Sequence, residues 1–321
     1  MNNLSQSDLA RLVTESLKMD FTKDAFQRIA PHHVVGSYLE GRLSQEREIL
    51  NLSCARLGYS HVEFGLDSGF TSSSDEVLAN LAMVSSAVDT MVTGFGEATT
   101  FGAGRQIAER LNDHVESPLV NLLDDIYAPQ PALSMLASLW SELRGLQGKR
   151  ITISWAFGST FPVPRIPHSL LILGIVLGAE ITVLNPPEFP LLRRIIKEAE
   201  KATEVGNGNF DEATEFDQSL LDVDAVVGLN WSRLDDFNHP EKNRVTAMDY
   251  RDWQFTKENI GNQSLFISTP PVQTDLLASN SLLHSPRNLT PDWLKRRTQV
   301  LAQSIIYVSN LQKEGLLSTL L

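Results

Sequence analysis

Residues with reactive or hydrogen-bonding side chains lie beside predicted strand ends in the second half of the chain. His168 follows a proline-rich loop, where a histidine can bind a carboxylate or act as a base near neutral pH. Alternatively His168 caps a buried helix, and capping is the favoured role for the adjacent Ser169. Three more candidates adjoin predicted strands and would either line a pocket or pack at a sheet edge: Trp155, Asn230 and Trp231.

The elements that must position these side chains form a βαβ pattern over residues 150–187. An apolar run, 151–156, leads into the Gly/Pro loop, an apolar helical segment covers 166–177, and a second β-branched run covers 181–184. In open parallel sheets, ligands bind beyond the carboxyl ends of the strands. We therefore expect a ligand near this loop.

Chain length and element order predict two domains. A chain of 321 residues exceeds the usual size of one core. Helix and strand patterns alternate with short links, although the stretch 23–39 reads as a helix with a break near Pro31. Such alternation favours parallel sheets covered on both faces. We predict an α/β protein with two doubly wound parallel-sheet domains, 1–146 and 147–290, followed by a helix within 291–321.

Composition and charge exclude several classes of partner. The net charge of −12 disfavours nucleic acid and anionic membranes. No uncharged apolar run approaches the ~20 residues of a membrane span. The N-terminus lacks a signal-peptide pattern and the single cysteine, Cys54, excludes an internal disulfide, so we expect a cytoplasmic protein. His32-His33 lack further ligands at metal spacing and 101–104 lacks the glycines of a dinucleotide loop, so no metal or cofactor is predicted.

The stretch 150–187 resembles the start of the second domain of the aspartate/ornithine carbamoyltransferase superfamily. The resemblance is closest to the acetylornithine and succinylornithine branch, in which Trp-Ala, a proline-rich loop and V-P-N-S follow one another. The corresponding residues are Trp155-Ala156, Pro162, Pro164 and 166–169, with Asn230-Trp231-Ser232 matching a further N-W-S. The resemblance implies a knotted proline-rich loop, a homotrimer, and a last helix that returns to complete the first domain.

The resemblance also locates the two halves of an active site. It implies a carbamoyl-phosphate site in the first domain and, in the second, a site for an amino-acid-like ligand that lies between the domains. The family motif S-T-R-T-R falls on 43–47, H-P-x-Q on 128–131, H-C-L-P on 267–270 and E-N-R on 295–297. Donor-site candidates are Ser44, Gln45, Glu46, Arg47, Gln130 and Arg297, and amino-acid-site candidates are Trp155, His168, Asn230, Trp231, Ser268 and Thr269.

Most of the family's cationic and polar donor residues are replaced. Gln45 occupies the position of an arginine that holds the phosphate, and Gly94 that of a second arginine. No lysine or arginine occurs between Arg56 and Arg105. A phosphate dianion without paired cations is costly to bury, so we expect ordinary carbamoyl phosphate binding to be lost. Arg47 could alternatively form an ion pair on the helix surface. Ser44 and Gln45 could alternatively cap the helix.

Two functions are compatible with this pattern. The first is an enzyme that transfers a carbamoyl-type group to the amine of an amino-acid-like ligand through an atypical donor site. The second is a catalytically inactive homologue that acts as a ligand sensor or as a structural partner of an active relative.

Overall fold

The computed structural model describes residues 5–21, 32–65, 74–96, 100–237, 239–313 and 319–320. The chain divides into two compact units. The first contains Met1–Pro131 together with Arg296–Leu321, and the second contains Ala132–Lys295.

The first unit is built on a parallel sheet of five strands. Their order across the sheet is β10-β4-β3-β1-β2. Buried residues of β3 and of the neighbouring helices form one apolar cluster that includes Leu81, Phe95 and Leu111. The elements are α1 (Gln6–Lys18), β1 (Val34–Glu40), α2 (Ser44–Leu57), β2 (Ser60–Glu63), α3 (Ser74–Ser85), β3 (Thr90–Phe95), α4 (Ala103–Leu111), β4 (Leu119–Leu123), α5 (Pro129–Leu143), which continues into the second unit, and β10 (Thr319–Leu320).

The second unit contains another parallel five-stranded sheet, in the order β7-β6-β5-β8-β9. Its strands β5 and β8 are apolar and buried almost throughout, as expected for strands covered on both faces. Its elements are β5 (Arg150–Trp155), α6 (Arg165–Val176), β6 (Glu180–Leu184), α7 (Arg193–Val205), β7 (Asn209–Ala213), a 3₁₀ turn (Gln218–Leu221), β8 (Ala225–Leu229), α8 (Pro240–Ala247), a second 3₁₀ turn (Met248–Tyr250), β9 (Leu265–Ile267), α9 (Asn280–Leu283) and the start of α10 (Thr290–Lys313), which belongs to the first unit from Arg296 onwards.

The prediction of two doubly wound parallel sheets is confirmed, but one predicted element is wrong. The stretch 23–39 was expected to be helical, whereas residues 34–40 form β1, a strand that pairs with both β2 and β3. A short apolar run that is buried on both faces has no alternation to distinguish strand from helix. Residues 23–31 of that predicted helix lie outside the described residues.

The C-terminal part of α10 belongs to the first unit and is held there by buried polar contacts. Ser53 Oγ donates to the Thr298 carbonyl, and Thr90 and Ser309 share a hydrogen bond between their hydroxyls. These contacts fix α10 against α2 and β3. Among the described residues, no helix combines the length and hydrophobicity needed to cross a membrane.

Candidate functional site

The first group of candidates opens α2, directly after β1. The chain leaves β1 at Glu40, turns at Gly41 with a φ of 81°, and enters α2 at Ser44. This is the carboxyl edge of the parallel sheet, where backbone N–H groups at a helix start can meet an anion. Ser44 is exposed there, and no side chain caps the helix start.

The side chain of Arg47 binds three acceptors of the first unit. Its Nη2 donates to the Leu39 carbonyl at 2.6 Å and its Nη1 to the Gly41 carbonyl at 3.1 Å. Its Nε lies 2.7 Å from Glu63 Oε1, at the end of β2. All three guanidinium nitrogens therefore bind acceptors of the first unit, and Arg47 ties α2 to the ends of β1 and β2.

Arg297 lies against the same helix start and is neutralised there. Its Nη2 donates to Glu46 Oε2, and its Nη1 donates to Gln45 Oε1 at 3.1 Å. Arg297 is 3% exposed and Glu46 is 8% exposed. The structure thus brings together three donor-site candidates, Gln45, Glu46 and Arg297, as a buried ion pair with an amide beside it.

Leu43 packs against the end of β3. A Cβ added at Gly96 would lie 2.5 Å from Leu43 Cδ2, and one added at Gly94 would lie 3.1 Å from Leu43 Cδ1 and 3.0 Å from Leu39 Cδ2. The position at which the resemblance expects an arginine, Gly94, therefore faces packed leucine side chains. An arginine could enter only if Leu43 moved.

Gln130 is also engaged within the first unit. Its Nε2 donates to Ser304 Oγ at 3.1 Å, and its Oε1 accepts from the same hydroxyl at 3.3 Å. Gln130 is 5% exposed and Ser304 is fully buried. The pair joins α5 to α10.

A buried acidic pair after β4 was not identified from the sequence. Asp124 accepts hydrogen bonds from the N–H groups of Ile126 and Tyr127, and its Oδ2 lies 3.4 Å from Arg105 Nη1. Asp125 accepts the N–H groups of Gly102 and Arg105 and so caps α4. Burial raises the pKa of Asp124, while Arg105 opposes that rise.

The sequence feature that could have revealed this cluster is a pair of adjacent aspartates after a buried strand. Arg105 lies 4.9 Å from the centroid of the Tyr127 ring and also pairs with Glu109. The cation is therefore shared among Tyr127, Glu109 and Asp124. The cluster organises the turn that leads into α5.

In the second unit, both candidate tryptophans are core residues. Trp155 Nε1 donates to the Trp231 carbonyl at 3.0 Å, and Trp231 Nε1 donates to the Phe189 carbonyl at 2.9 Å. Both side chains are fully buried. Trp155 stacks near Phe189 at 4.7 Å and meets Tyr250 and Trp253 edge-on. Packed aromatic rings thus fill this part of the carboxyl edge of the second sheet.

His168 lies in α6 and binds the backbone just before α7. It is fully buried, and its Nε2 accepts the N–H of Leu192, the residue before α7, at 3.3 Å. An imidazole that accepts this hydrogen bond through Nε2 is deprotonated at that nitrogen. His168 lies within α6 and does not cap the start of that helix; its hydrogen bond instead joins α6 to the backbone before α7.

The remaining candidates lie at the carboxyl ends of β8 and β9. Asn230 Nδ2 donates to the Ala156 carbonyl at 2.6 Å, whereas its buried Oδ1 has no hydrogen-bond partner among the described residues. The buried Ser268 Oγ likewise lacks a partner within the described part of the chain. Thr269 is partly exposed. Two polar oxygens on neighbouring strand ends therefore remain able to bind a donor group.

Comparison with known proteins identifies relatives of this chain in sequence and in fold. No family model matches the chain. The Escherichia coli (strain K12) protein "Putative carbamoyltransferase YgeW" is 26% identical over 151 residues, which are 45% of this chain and 38% of that protein. The anabolic ornithine carbamoyltransferase of Pyrococcus furiosus is 22% identical over 192 residues, 59% of this chain and 58% of the enzyme. The matches thus span less than two thirds of either relative.

Solved structures match over nearly the whole chain. Acetylornithine transcarbamylase complexed with acetylcitrulline has a TM-score of 0.82 at 17% identity, covering 94% of this chain and 95% of that one. A mutant of N-acetyl-L-ornithine transcarbamylase complexed with carbamyl phosphate and N-succinyl-L-norvaline has a TM-score of 0.79 at 18% identity, covering 94% and 96%. The chain therefore has the carbamoyltransferase fold, and its sequence similarity to carbamoyltransferases agrees with the resemblance inferred from its motifs.

Proposed function

We propose that this protein is a carbamoyltransferase homologue that does not use carbamoyl phosphate and acts as a ligand sensor or as a structural partner of an active relative. The observation that carries the proposal is the buried pair of Arg297 and Glu46, with Gln45 as the second acceptor. The cation that the resemblance assigns to the donor site is already neutralised by the chain itself.

Electrostatics supports this proposal. A phosphate dianion at the start of α2 could bind Arg297 only by displacing Glu46. The dianion would then lie close to a Glu46 carboxylate that has lost its counter-charge. At an effective dielectric constant of about 20, a unit charge and a dianion a few ångströms apart repel by several kcal/mol. Arg47 offers little compensation, because each of its guanidinium nitrogens binds an acceptor in the first unit.

Calorimetry with carbamoyl phosphate tests the proposal directly. We expect no binding to the unaltered protein, alone or with ornithine, N-acetylornithine or aspartate, and no carbamoylated amine detectable by mass spectrometry. Tight binding of carbamoyl phosphate, or turnover, would show that the protein is an ordinary transcarbamylase.

Two matched variants test whether the charge of Glu46 prevents an anion from binding. Glu46→Gln keeps the side-chain size but frees the charge of Arg297, whereas Glu48→Gln makes the same change at an exposed position of α2. Inorganic phosphate should raise the melting temperature of the Glu46 variant more than that of the control, since a ligand that binds only the folded state stabilises it. Equal phosphate effects in both variants would mean that Glu46 does not control anion binding.

An atypical transferase is the second candidate, favoured by the unpartnered oxygens of Asn230 and Ser268 at adjacent strand ends. Such acceptors suit the amine or amide of an amino-acid-like ligand. If N-acetylornithine binds, Ser268→Ala and Asn230→Leu should each weaken it. Binding together with a carbamoylated product would favour the transferase over the sensor.

The homotrimer and the cytoplasmic location belong to the same proposal and are supported by the resemblance and the charge. Light scattering after gel filtration should give about three times the chain mass of 35.6 kDa. A monomer over the tested concentration range would contradict the trimer.

A further inference from the structure

A polar cavity of about 280 Å³ lies in the second unit, away from the candidate residues described above. It adjoins the amino-terminal parts of β5, β6 and β7 and the 3₁₀ turn Gln218–Leu221. Its volume is near the lower end of the range for small-molecule sites. A metabolite of modest size would fit.

The cavity occupies the face of the sheet opposite α6. A Cβ added to Gly174 of α6 would lie 2.8 Å from Ile181 Cδ1, so Ile181 points towards that helix. Successive side chains of a strand point to opposite faces, so Glu180 and Thr182 point away from α6. Through the strand register, Arg150 and Asn209 align with Glu180, and Asp211 aligns with Thr182.

Three charged side chains line this cavity: Arg150, Glu180 and Asp211. Among the residues that the structure describes, none of the three forms an ion pair. Asp224, which accepts the Arg150 backbone N–H, lies 3.6 Å from Lys149 Nζ. One cation and two carboxylates are therefore left facing a cavity.

The 3₁₀ turn and the residues after it form an apolar wall of the cavity, and hydrogen bonds hold this turn in place. Thr152 Oγ1 donates to the Leu220 carbonyl, which ties the 3₁₀ turn to the sheet. Asp217 caps the same turn by accepting the Ser219 N–H at 2.8 Å. Leu220 and Val223 then present apolar surface to the cavity. An alkyl chain could lie against them.

We propose that this cavity binds an α-amino acid with a second cationic group, such as L-lysine. Arg150 would bind the carboxylate, while Glu180 and Asp211 would each bind one ammonium group. The strands of Arg150 and Asp211 are two strand spacings apart, or about 10 Å, which suits an extended side chain rather than glycine. This proposal is independent of whether the protein uses carbamoyl phosphate.

Calorimetry on the full chain, without carbamoyl phosphate, tests the charge pattern. L-lysine should bind, and both cadaverine, which lacks the carboxylate, and 6-aminohexanoate, which lacks the α-amine, should bind at least about tenfold more weakly. No heat with lysine at millimolar concentration would overturn the proposal. Equal binding of lysine and cadaverine would also overturn it, because the role of Arg150 would be lost.

Variants locate the site. Arg150→Met should remove the preference for lysine over cadaverine, and Asp211→Asn should weaken lysine about tenfold. Both positions are exposed, so the fold should tolerate the changes. Arg193→Met, an exposed change on α7, is the matched control and should leave binding unchanged. Lysine binding that is equally strong in the Arg150 and Asp211 variants would place the ligand elsewhere and refute the assignment.

Discussion

Replacing Arg297 by methionine removes the cation from a pair in which Arg297 is 3% exposed and Glu46 is 8% exposed. The remaining carboxylate would then be buried without its counter-charge. Breaking a buried pair in this way typically costs about 3–5 kcal/mol. Glu46→Met should cost a similar amount, for the same reason applied to the guanidinium. For a unit of this size, such losses correspond to a fall in melting temperature of roughly 10 °C.

The double variant is the decisive measurement. Replacing both partners by methionine leaves no unpaired charge, so we expect it to be far less destabilised than the sum of the single variants, with a coupling energy of about 3 kcal/mol. The matched control is Arg110 with Asp75, a pair joined at 2.7 Å whose side chains are 48% and 79% exposed. Its cycle should give at most about 1 kcal/mol.

The assay must report on the first unit. All tryptophans of the chain lie within residues 132–295, in the second unit, so their fluorescence does not monitor α2 or its partner helix directly. Urea unfolding followed by circular dichroism, together with hydrogen exchange of peptides from α2, supplies the required signal. Single variants that lose less than 1 kcal/mol, or additive losses in the double variant, would refute the buried-pair interpretation.

Three further predictions concern buried polar contacts and the thiol. Trp155→Phe should destabilise the protein by about 1–3 kcal/mol in chemical unfolding, because the buried Trp231 carbonyl loses its donor. Burial lowers the pKa of His61 below its ordinary 6.5, and Glu63 opposes this shift. The folded state therefore binds a proton less readily than the unfolded state, and the free energy of unfolding should fall as pH drops through the folded-state pKa. In urea titrations, His61→Gln should lose less of this free energy at acid pH. Burial raises the pKa of Cys54 to about 12, so a thiol reagent should react with it slowly until urea unfolds the chain.

The strand–loop–helix–strand order was predictable because its apolar runs have lengths and turn residues that distinguish strand from helix. The region of β1 was not, since Val34 and Val35 begin a buried run without alternation. Its strand identity depends on pairing with β2 and β3, which are distant in sequence.

The partners of the donor-site residues were only partly predictable. Matching motif positions anticipated that Arg297 would belong with Gln45 and Glu46, but not that Glu46 would neutralise it. A histidine near a loop has the same sequence appearance whether it faces a ligand, caps the helix that begins there or binds the backbone of another element, as His168 does. The contact of His168 with Leu192 depends on how α6 lies beside the turn before α7, which no local pattern shows.

The polar cavity of the second unit had no signal in any single stretch. Its charged residues occupy three different strands and meet only through the register of the sheet. Each residue alone reads as a solvated charge at the start of a strand. Such a site can be recognised only when strand order and facing direction are known.

The contact between Glu46 and Arg297 constrains how this chain could regain phosphate handling during evolution. A substitution that exposes the guanidinium to an incoming anion would first leave a buried charge without a counter-ion, and the protein would lose stability before it gained affinity. Restoring an arginine at position 94 would meet a similar barrier while Leu43 occupies that space. The accessible mutational routes therefore begin with Leu43 or with stabilising changes elsewhere. The effect of each substitution that restores phosphate binding would depend strongly on whether these earlier changes had occurred.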